Sequence, residues 1–391
     1  MKKTVLKAIL AFSACTLFAY DFSGIISDST KFNFYEGKFE DPLLKQSETF
    51  TGDFTSSNFA MELSVQHKTD IQFGDDSSTE NDVILDCTLF KFFKTVKLDR
   101  TRNVQLSAGR FFYSDLSGAV VAQPNDGVFV KYSSPKLEAS VYGGYTGLQN
   151  VKNVTVVTSK GGSWAPEKEK DLYDFTAPYA IGALSLSAPY CLRNQTVSFE
   201  CLGAFNVGGP ADLEDDDSRL YGTLCLTGPL SNYVFYTLSG TVEATDFSDI
   251  GFLGKLSFNW FIPYKNSVIT LGGLYAPGTS SSLNCFTSVT KGTVCLSKDE
   301  PGYNGISNSG ISKIGLSGSM IPVDRLVLSL GGDVVFIMPD NSAELYGIQV
   351  SAVAMYKMYS DFNISLSVNN FTGKYKNASR TEIGLGLALA L

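Results

Sequence analysis

One pattern limits this chain more than any other: segment after segment, apolar side chains recur at every second position. The last segment is the clearest. Ile383, Leu385, Leu387, Leu389 and Leu391 alternate with Gly384, Gly386, Ala388 and Ala390. Successive side chains of a strand point to opposite faces, so one face here is leucine-like and the other nearly bare. A helix would spread the same leucines around its circumference. Leu326, Leu328, Leu330, Val334 and Phe336 oppose Arg325, Ser329 and Asp333 in the same way. Tyr346, Ile348, Val350, Ala352, Ala354 and Tyr356 oppose Gln349 and Ser351, with an aromatic at each end of the apolar face. Phe362, Ile364, Leu366 and Val368 oppose Asn363, Ser365, Ser367 and Asn369.

Read throughout, the alternation predicts an all-β chain of about sixteen strands, within a range of about 14–18. They span 57–67, 82–97, 103–113, 126–133, 136–146, 177–188, 194–206, 218–228, 231–243, 249–261, 266–276, 310–320, 325–337, 344–357, 360–371 and 380–391. The faces at 82–97, 103–113 and 177–188 do not separate cleanly, which marks them for bulges. Short links, several with a proline (Pro135, Pro189, Pro229, Pro263, Pro322), alternate with long polar ones such as 68–81, 147–176, 207–217 and 277–309. A sandwich has no need of that alternation. A barrel with one end toward the periplasm and one toward the outside does. Most strands have the ~9–11 residues that cross a bilayer when tilted. After the N-terminal segment, no run of ~18 apolar residues offers a membrane helix. Charged residues, at 18%, are scarce, and aromatics, at 13%, are plentiful. The expected architecture is a single transmembrane antiparallel β-barrel over 57–391. Residues 20–56 form an extra strand or hairpin, a periplasmic tail or a plug.

The N-terminus reads as a secretory signal over 1–19. Lys2, Lys3 and Lys7 precede an apolar stretch from Ala8 to Phe18, with small residues at Ala14 and Ala19. The alternative is a lipoprotein signal at Phe12-Ser13-Ala14-Cys15. Losing the three lysines takes the formal charge from −8 to −11, which argues against nucleic acid as a partner. Cysteines 87, 191, 201, 225, 285 and 295 include no Cys-x-x-Cys pair, and His67 is the sole histidine, so no metal site or cofactor is implied. Cys285 and Cys295 share one long loop and can form a disulfide or stay free.

Catalysis finds little footing. His67 sits where a strand meets a loop, and there is no Gly-x-Ser-x-Gly elbow or phosphate-binding loop. The acidic run 212–217 lacks the spacing of a calcium loop and reads as solvated. The polar faces carry the more useful signal. Glu62, Lys131, Glu138, Lys255, Asn259, Lys313, Asp333, Gln349, Asn363 and Glu382 all oppose apolar faces. In a barrel they point inward, because a Lys or Arg facing mid-membrane lipid costs roughly 2–4 kcal/mol. They are the candidate pore-lining residues. Arg110 alternates with Leu106 and Ala108 and so falls on the lipid face, unless a bulge at Gly109 turns it.

With its signal, strand pattern and final strand, the chain resembles the bacterial outer-membrane porin superfamily. Gly386, Leu389 and Leu391 match the spacing of the terminal assembly signal in that superfamily, with Leu391 in place of the usual aromatic. Gly109-Arg110-Phe111 and Asp126-Gly127 are similar to segments of substrate-type porins, and the cysteine count suits a spirochaete-type member. The resemblance implies an outer-membrane location, lipid and the barrel-assembly machinery as partners, and a non-enzymatic aqueous channel for small polar solutes or ions, with homo-oligomers open. Two other readings remain at this point: a plugged transporter of hydrophobic compounds, and an adhesin or structural barrel acting through its long loops.

Overall fold

A computed structural model describes residues 21–35, 43–73, 78–158, 173–208, 218–246, 249–278, 284–290, 309–338, 342–375 and 379–391. The strands are β1 (Asp21–Tyr35), β2 (Leu43–Ser56), β3 (Phe59–Gln72), β4 (Ser78–Lys97), β5 (Asn103–Ser114), β6 (Ala122–Ser133), β7 (Glu138–Tyr145), β8 (Tyr179–Leu192) and β9 (Gln195–Asn206). They continue with β10 (Ser218–Pro229), β11 (Val234–Thr245), β12 (Asp249–Ile262), β13 (Ser267–Ala276), β14 (Ile311–Val323), β15 (Leu326–Ile337), β16 (Glu344–Lys357), β17 (Phe362–Gly373) and β18 (Arg380–Ala390). Each pairs antiparallel with its sequence neighbours, and β1 pairs β18, so the 18-stranded sheet closes on itself. Closure leaves no free end strand, which is what a barrel in lipid requires, although β4 runs on beyond its last pair with β5, Phe90 with Arg110.

The sheet starts at Asp21 and not at 57. Residues 21–35 and 43–56 are wall strands, neither tail nor plug, and they supply the two strands beyond sixteen. They escaped the sequence pattern because their middles are polar on both faces: Asp28-Ser29-Thr30-Lys31 in β1 and Gln46-Ser47-Glu48-Thr49 in β2.

Eight short connections gather at one rim, where the chain ends also meet: the Leu391 amide donates to the Gly24 carbonyl at 2.7 Å. In the 98–102 turn, Asp99 accepts from the Thr101 and Arg102 amides, both at 2.8 Å, and from Arg102 Nε at 2.5 Å. The Thr101 amide, then the Arg102 side chain, hold this exposed carboxyl well below its ordinary range, at about 2. A depressed folded pKa stabilises the turn above the unfolded carboxylate value and loses that effect as pH falls through about 2. Protection of the Thr101 and Arg102 amides, taken relative to the intrinsic exchange rate at each pH, is therefore expected to hold above about pH 4, to fall as pH approaches about 2, and to be lost at every pH in an Asp99→Ala variant.

Two of the three segments whose faces were mixed carry an irregularity, those of β4 and β5; further register shifts fall beyond 177–188 and in the β14–β15 and β15–β16 ladders, where the faces were clean. The β3–β4 register shifts between Glu62 and Leu63, and the β8–β9 register shifts after Ala188. In β5, Gly109 has φ +113°, and a Cβ there would lie 2.0 Å from the Phe90 carbonyl oxygen. Only glycine fits that approach. Gly109→Val is expected to cost a few kcal/mol, of order 3, read as a lower temperature for loss of the compact band on unheated gels.

Outward positions are the exposed apolar ones, for example Leu184, Phe199, Leu224, Leu238, Leu316, Leu330, Ile348 and Leu385. Phe54, Phe59, Phe90 and Phe92 form a chain of ring contacts, 4.9–6.1 Å between centroids, near the short-turn rim. Such aromatic groups favour a membrane–water boundary. The buried core lies inside the barrel. It joins inward wall residues such as Tyr179, Leu202, Tyr221, Leu253 and Val335 to loop residues Val120, Val156, Phe286 and Val289.

Candidate functional site

Among the described residues, three loop segments fold into the lumen from the long-loop rim and bind one another through backbone groups. The Val157 amide donates to the Val289 carbonyl at 2.9 Å, and the Val289 amide donates to the Val120 carbonyl at 2.8 Å. Each segment has its own fastening. Residues 115–121 turn around the Asp115 carboxylate, which accepts from the Ser117, Val120 and Val121 amides at 2.8–2.9 Å. Gly118 takes φ +62° within that turn. Because Asp115 is itself buried, the turn keeps its shape without solvent.

The wall holds the segments with buried ionisable groups. Arg219 of β10 is fully buried. It donates to the Ser288 carbonyl at 3.2 Å and to the Val157 carbonyl at 2.7 Å, with its guanidinium 5.3 Å from the Tyr179 ring centre. Glu243 of β11 accepts from the Thr287 amide at 2.6 Å, from the Thr287 hydroxyl and from the Tyr221 hydroxyl at 3.3 Å. Glu200 of β9 accepts from the Leu116 amide at 2.8 Å and from the Ser185 hydroxyl. Lys255 of β12 donates to the Ser117 carbonyl at 2.8 Å.

These fastenings narrow the interior without filling it. One cavity of about 440 Å³ is lined by Lys255, Lys313, Asp333, Ser239, Ser257 and Ser351, among others. Another of about 400 Å³ is lined by Lys91, Lys131, Glu138, Glu200, Phe111 and Tyr113, among others. Both carry fixed charges of both signs.

All ten sequence candidates occupy inward register positions, but they do not form one cluster. Lys255, Lys313 and Asp333 share the first cavity, and the Lys313–Asp333 pair is 4.0 Å apart. Lys131 and Glu138 share the second and pair at 2.7 Å. Glu382 meets Lys31 at 3.1 Å and Arg380 at 3.3 Å. Asn259 accepts from Thr270 at 2.8 Å, and Glu62 accepts from Thr88. Gln349 lies between Asp333 and Phe371 in the ladder, and Asn363 lies opposite Ala388. Arg219, Glu243, Glu200 and Asp115 were missed. The first three stand on the same period-2 inner faces as the candidates, so that signal was present. What they hold was not readable, because their loop partners are 44–84 residues away in sequence.

Arg110 keeps the outward register that strict alternation assigns, and it does not meet lipid. Its guanidinium is bidentate to Asp126 at 2.8–2.9 Å and also donates to the Cys87 and Leu148 carbonyls and to Tyr173. Burial pushes the Tyr173 phenol above its ordinary range, against the opposing pull of Arg110. Above Arg110 the β4–β5 ladder ends, and loop residues take its place: Asn150 donates to the Leu85 carbonyl and Lys152 pairs with Asp82. The acidic run 212–217 and Cys295 lie outside the described residues. Cys285 is disulfide-bonded, and Cys87, Cys191, Cys201 and Cys225 are free thiols. Gly386 and Leu389 pair within both β18 ladders, and Leu391 closes on Gly24.

No family model matches the sequence, and no curated protein matches it. Solved structures do match its fold. OccAB4 of Acinetobacter baumannii is 11% identical with TM-score 0.59, over 95% of this chain and 97% of that one. OccK5 (OpdH) of Pseudomonas aeruginosa is 10% identical with TM-score 0.58, over 95% and 98%. The Pseudomonas aeruginosa outer membrane protein OpdK is 9% identical with TM-score 0.54, over 95% and 99%. OpdK with vanillate is 10% identical with TM-score 0.56, over 95% and 98%.

Proposed function

We propose that this chain is a bacterial outer-membrane porin that lets small polar solutes or ions diffuse through a narrowed aqueous lumen. One observation carries the reading: a closed barrel of eighteen strands turns its apolar side chains outward and keeps charged residues around unfilled interior space. Eighteen strands enclose too wide a space for side chains alone to fill. The three inserted loop segments make the passage selective by size and charge. The fold shared with OpdK, an outer membrane protein, supports the same location. The polar interior disfavours a transporter of hydrophobic compounds. The ten inward candidates act as pore-lining groups, Lys255, Lys313 and Asp333 nearest the narrowing. Gly386, Leu389 and Leu391 serve recognition by the assembly machinery.

Refolded protein in a planar bilayer is expected to conduct in discrete steps, and a complete absence of steps would end the channel reading. Because one structure of OpdK contains vanillate, that aromatic carboxylate is a suitable first solute for block of the current. Acidic residues outnumber basic ones, 39 to 31, so a mild cation preference that fades with salt is expected. Lys313→Glu, which changes a cavity-lining charge without touching an inserted loop, is expected to move the zero-current potential further toward cations. An unchanged potential would remove Lys313 from the ion path.

A further inference from the structure

The outward faces of β7–β18 carry no Asp, Glu, Lys, Arg or His among the described residues. Outward ionisable groups elsewhere are Lys94 near the short-turn rim, the Arg110–Asp126 pair, and one row across β1–β3. That row is Asp28, Glu48 and His67, cross-strand neighbours in register. It lies inside the apolar belt. On β1, Asp28 stands between outward Ile26 and Phe32, and its neighbour on β18 is Leu387. On β2, Glu48 stands between outward Leu44 and Phe50, and on β3, His67 between outward Val65 and Ile71.

A second polar row lies beside it. Gln46 donates to Asp28 at 3.4 Å, and Thr69 donates to Asn81 at 2.9 Å. His67 Nδ1 is 3.9 Å from Glu48 Oε2, and both side chains stand open at the wall, 41% and 61% exposed. The inner face of the same strands has its own separate pairs, Lys45–Asp70 and Lys31–Glu382, so the outer row is not a lumen cluster seen from behind.

Carboxylates at mid-belt cannot be hydrated by hydrocarbon, and twelve other strands avoid them. We propose that the outer face of β1–β3 is covered by a second copy of this chain in the membrane. This rests on the proposed reading that the barrel's outer face meets lipid. The row favours a self-complementary contact, because it runs from carboxylates at one end to an imidazole at the other. A two-fold axis along the barrel, passing between β2 and β3, sets Glu48 of each copy against His67 of the other, as an isologous interface requires. Glutamine, threonine and asparagine beside it supply further donors and acceptors that lipid would leave unmatched.

The test uses the full mature protein in membranes, with a photo-crosslinking amino acid at position 48 and, as a control, at Leu224 on the far wall. Cross-linked pairs containing only this chain are expected from position 48, and lipid adducts only from position 224. Native mass in nanodiscs is expected to be two copies for the parent. The triple variant Asp28→Leu, Glu48→Leu, His67→Leu is expected to lose at least ~10-fold of its two-copy fraction, one decade of affinity. Single-channel conductance is read on the same variant. A retained current with a one-copy mass shows that the barrel survived and supports the interface. A one-copy mass for the parent, or lipid adducts at position 48, would overturn it. Cross-links from position 48 to a different protein would also overturn it, as would a triple variant that stays two-copy.

Discussion

Glu243→Ala is expected to open the channel: larger conductance, frequent noisy transitions and weaker discrimination between solutes. Glu243 is buried, and it holds residues 284–290 across the lumen through Thr287 while also accepting from Tyr221. Removing it leaves the Thr287 amide and hydroxyl without their acceptor in a site closed to water. Each such orphaned group costs about 1–3 kcal/mol, and breaking a buried charged network costs about 3–5 kcal/mol. At about 1.4 kcal/mol per decade, that unseats the loop by a factor of roughly 10² or more. Residues 156–158 should follow, because the Val157 amide bonds to Val289. Arg219→Met offers a second route to the same state, since it loses the bonds to Val157 and Ser288. Glu138→Ala is the control: its partner Lys131 is part-exposed, no hydrogen bond joins the pair to the described residues of the inserted loops, and exposed pairs contribute only about 0–1 kcal/mol. Single-channel recording of the three variants decides the matter. Parent-like conductance and noise in Glu243→Ala and Arg219→Met would show that the loops are not held by these groups.

Deleting residues 382–391 is expected to abolish the folded barrel. Those residues pair with β17 on one side and with β1 on the other, so their loss opens the ladder that joins the two ends of the sheet. Both β1 and β17 then present unpaired backbone groups, each costing several kcal/mol in hydrocarbon. Leu389→Asp keeps the ladder and tests the outer face alone. Leu389 pairs Ile26 and Phe362, so a carboxylate there enters the belt close to the short-turn rim. Its cost is below the ~2–4 kcal/mol of a basic residue at the midplane, so slower assembly is expected and not complete loss. Protease resistance and the compact unheated gel band measure both. A normal band from the deletion would contradict closure of the barrel by β18.

The lumen was only half legible. Lys255, Lys313 and Asp333 were readable as inward because an apolar outer face flanks them on their strands. Glu243 and Arg219 stood on equally readable faces, but nothing in sequence joins β10 and β11 to a loop beginning more than thirty residues beyond β11. The loop at 115–121 escapes notice for a simpler reason: it is short, and no local feature marks a loop as turning inward. In β8, Ile181 and Ala183 are apolar and inward because they pack on inserted loops, while Leu184 and Leu186 are apolar and outward. Two apolar faces erase the alternation, and this is why 177–188 could not be oriented.

The sequence by itself determined the architecture, because a strand that separates lipid from water must write that separation at every second residue. Tertiary structure decided that β1 and β2 join the wall, where hydrogen bonding to β18 and β3 compensates for a weak apolar pattern. It decided too that Arg110, outward by register, is a clasp at the end of the β4–β5 ladder, and that Asp28, Glu48 and His67 form one row. Those outcomes depend on register between distant strands. Register is fixed by closing the sheet, and no local stretch of residues contains that information.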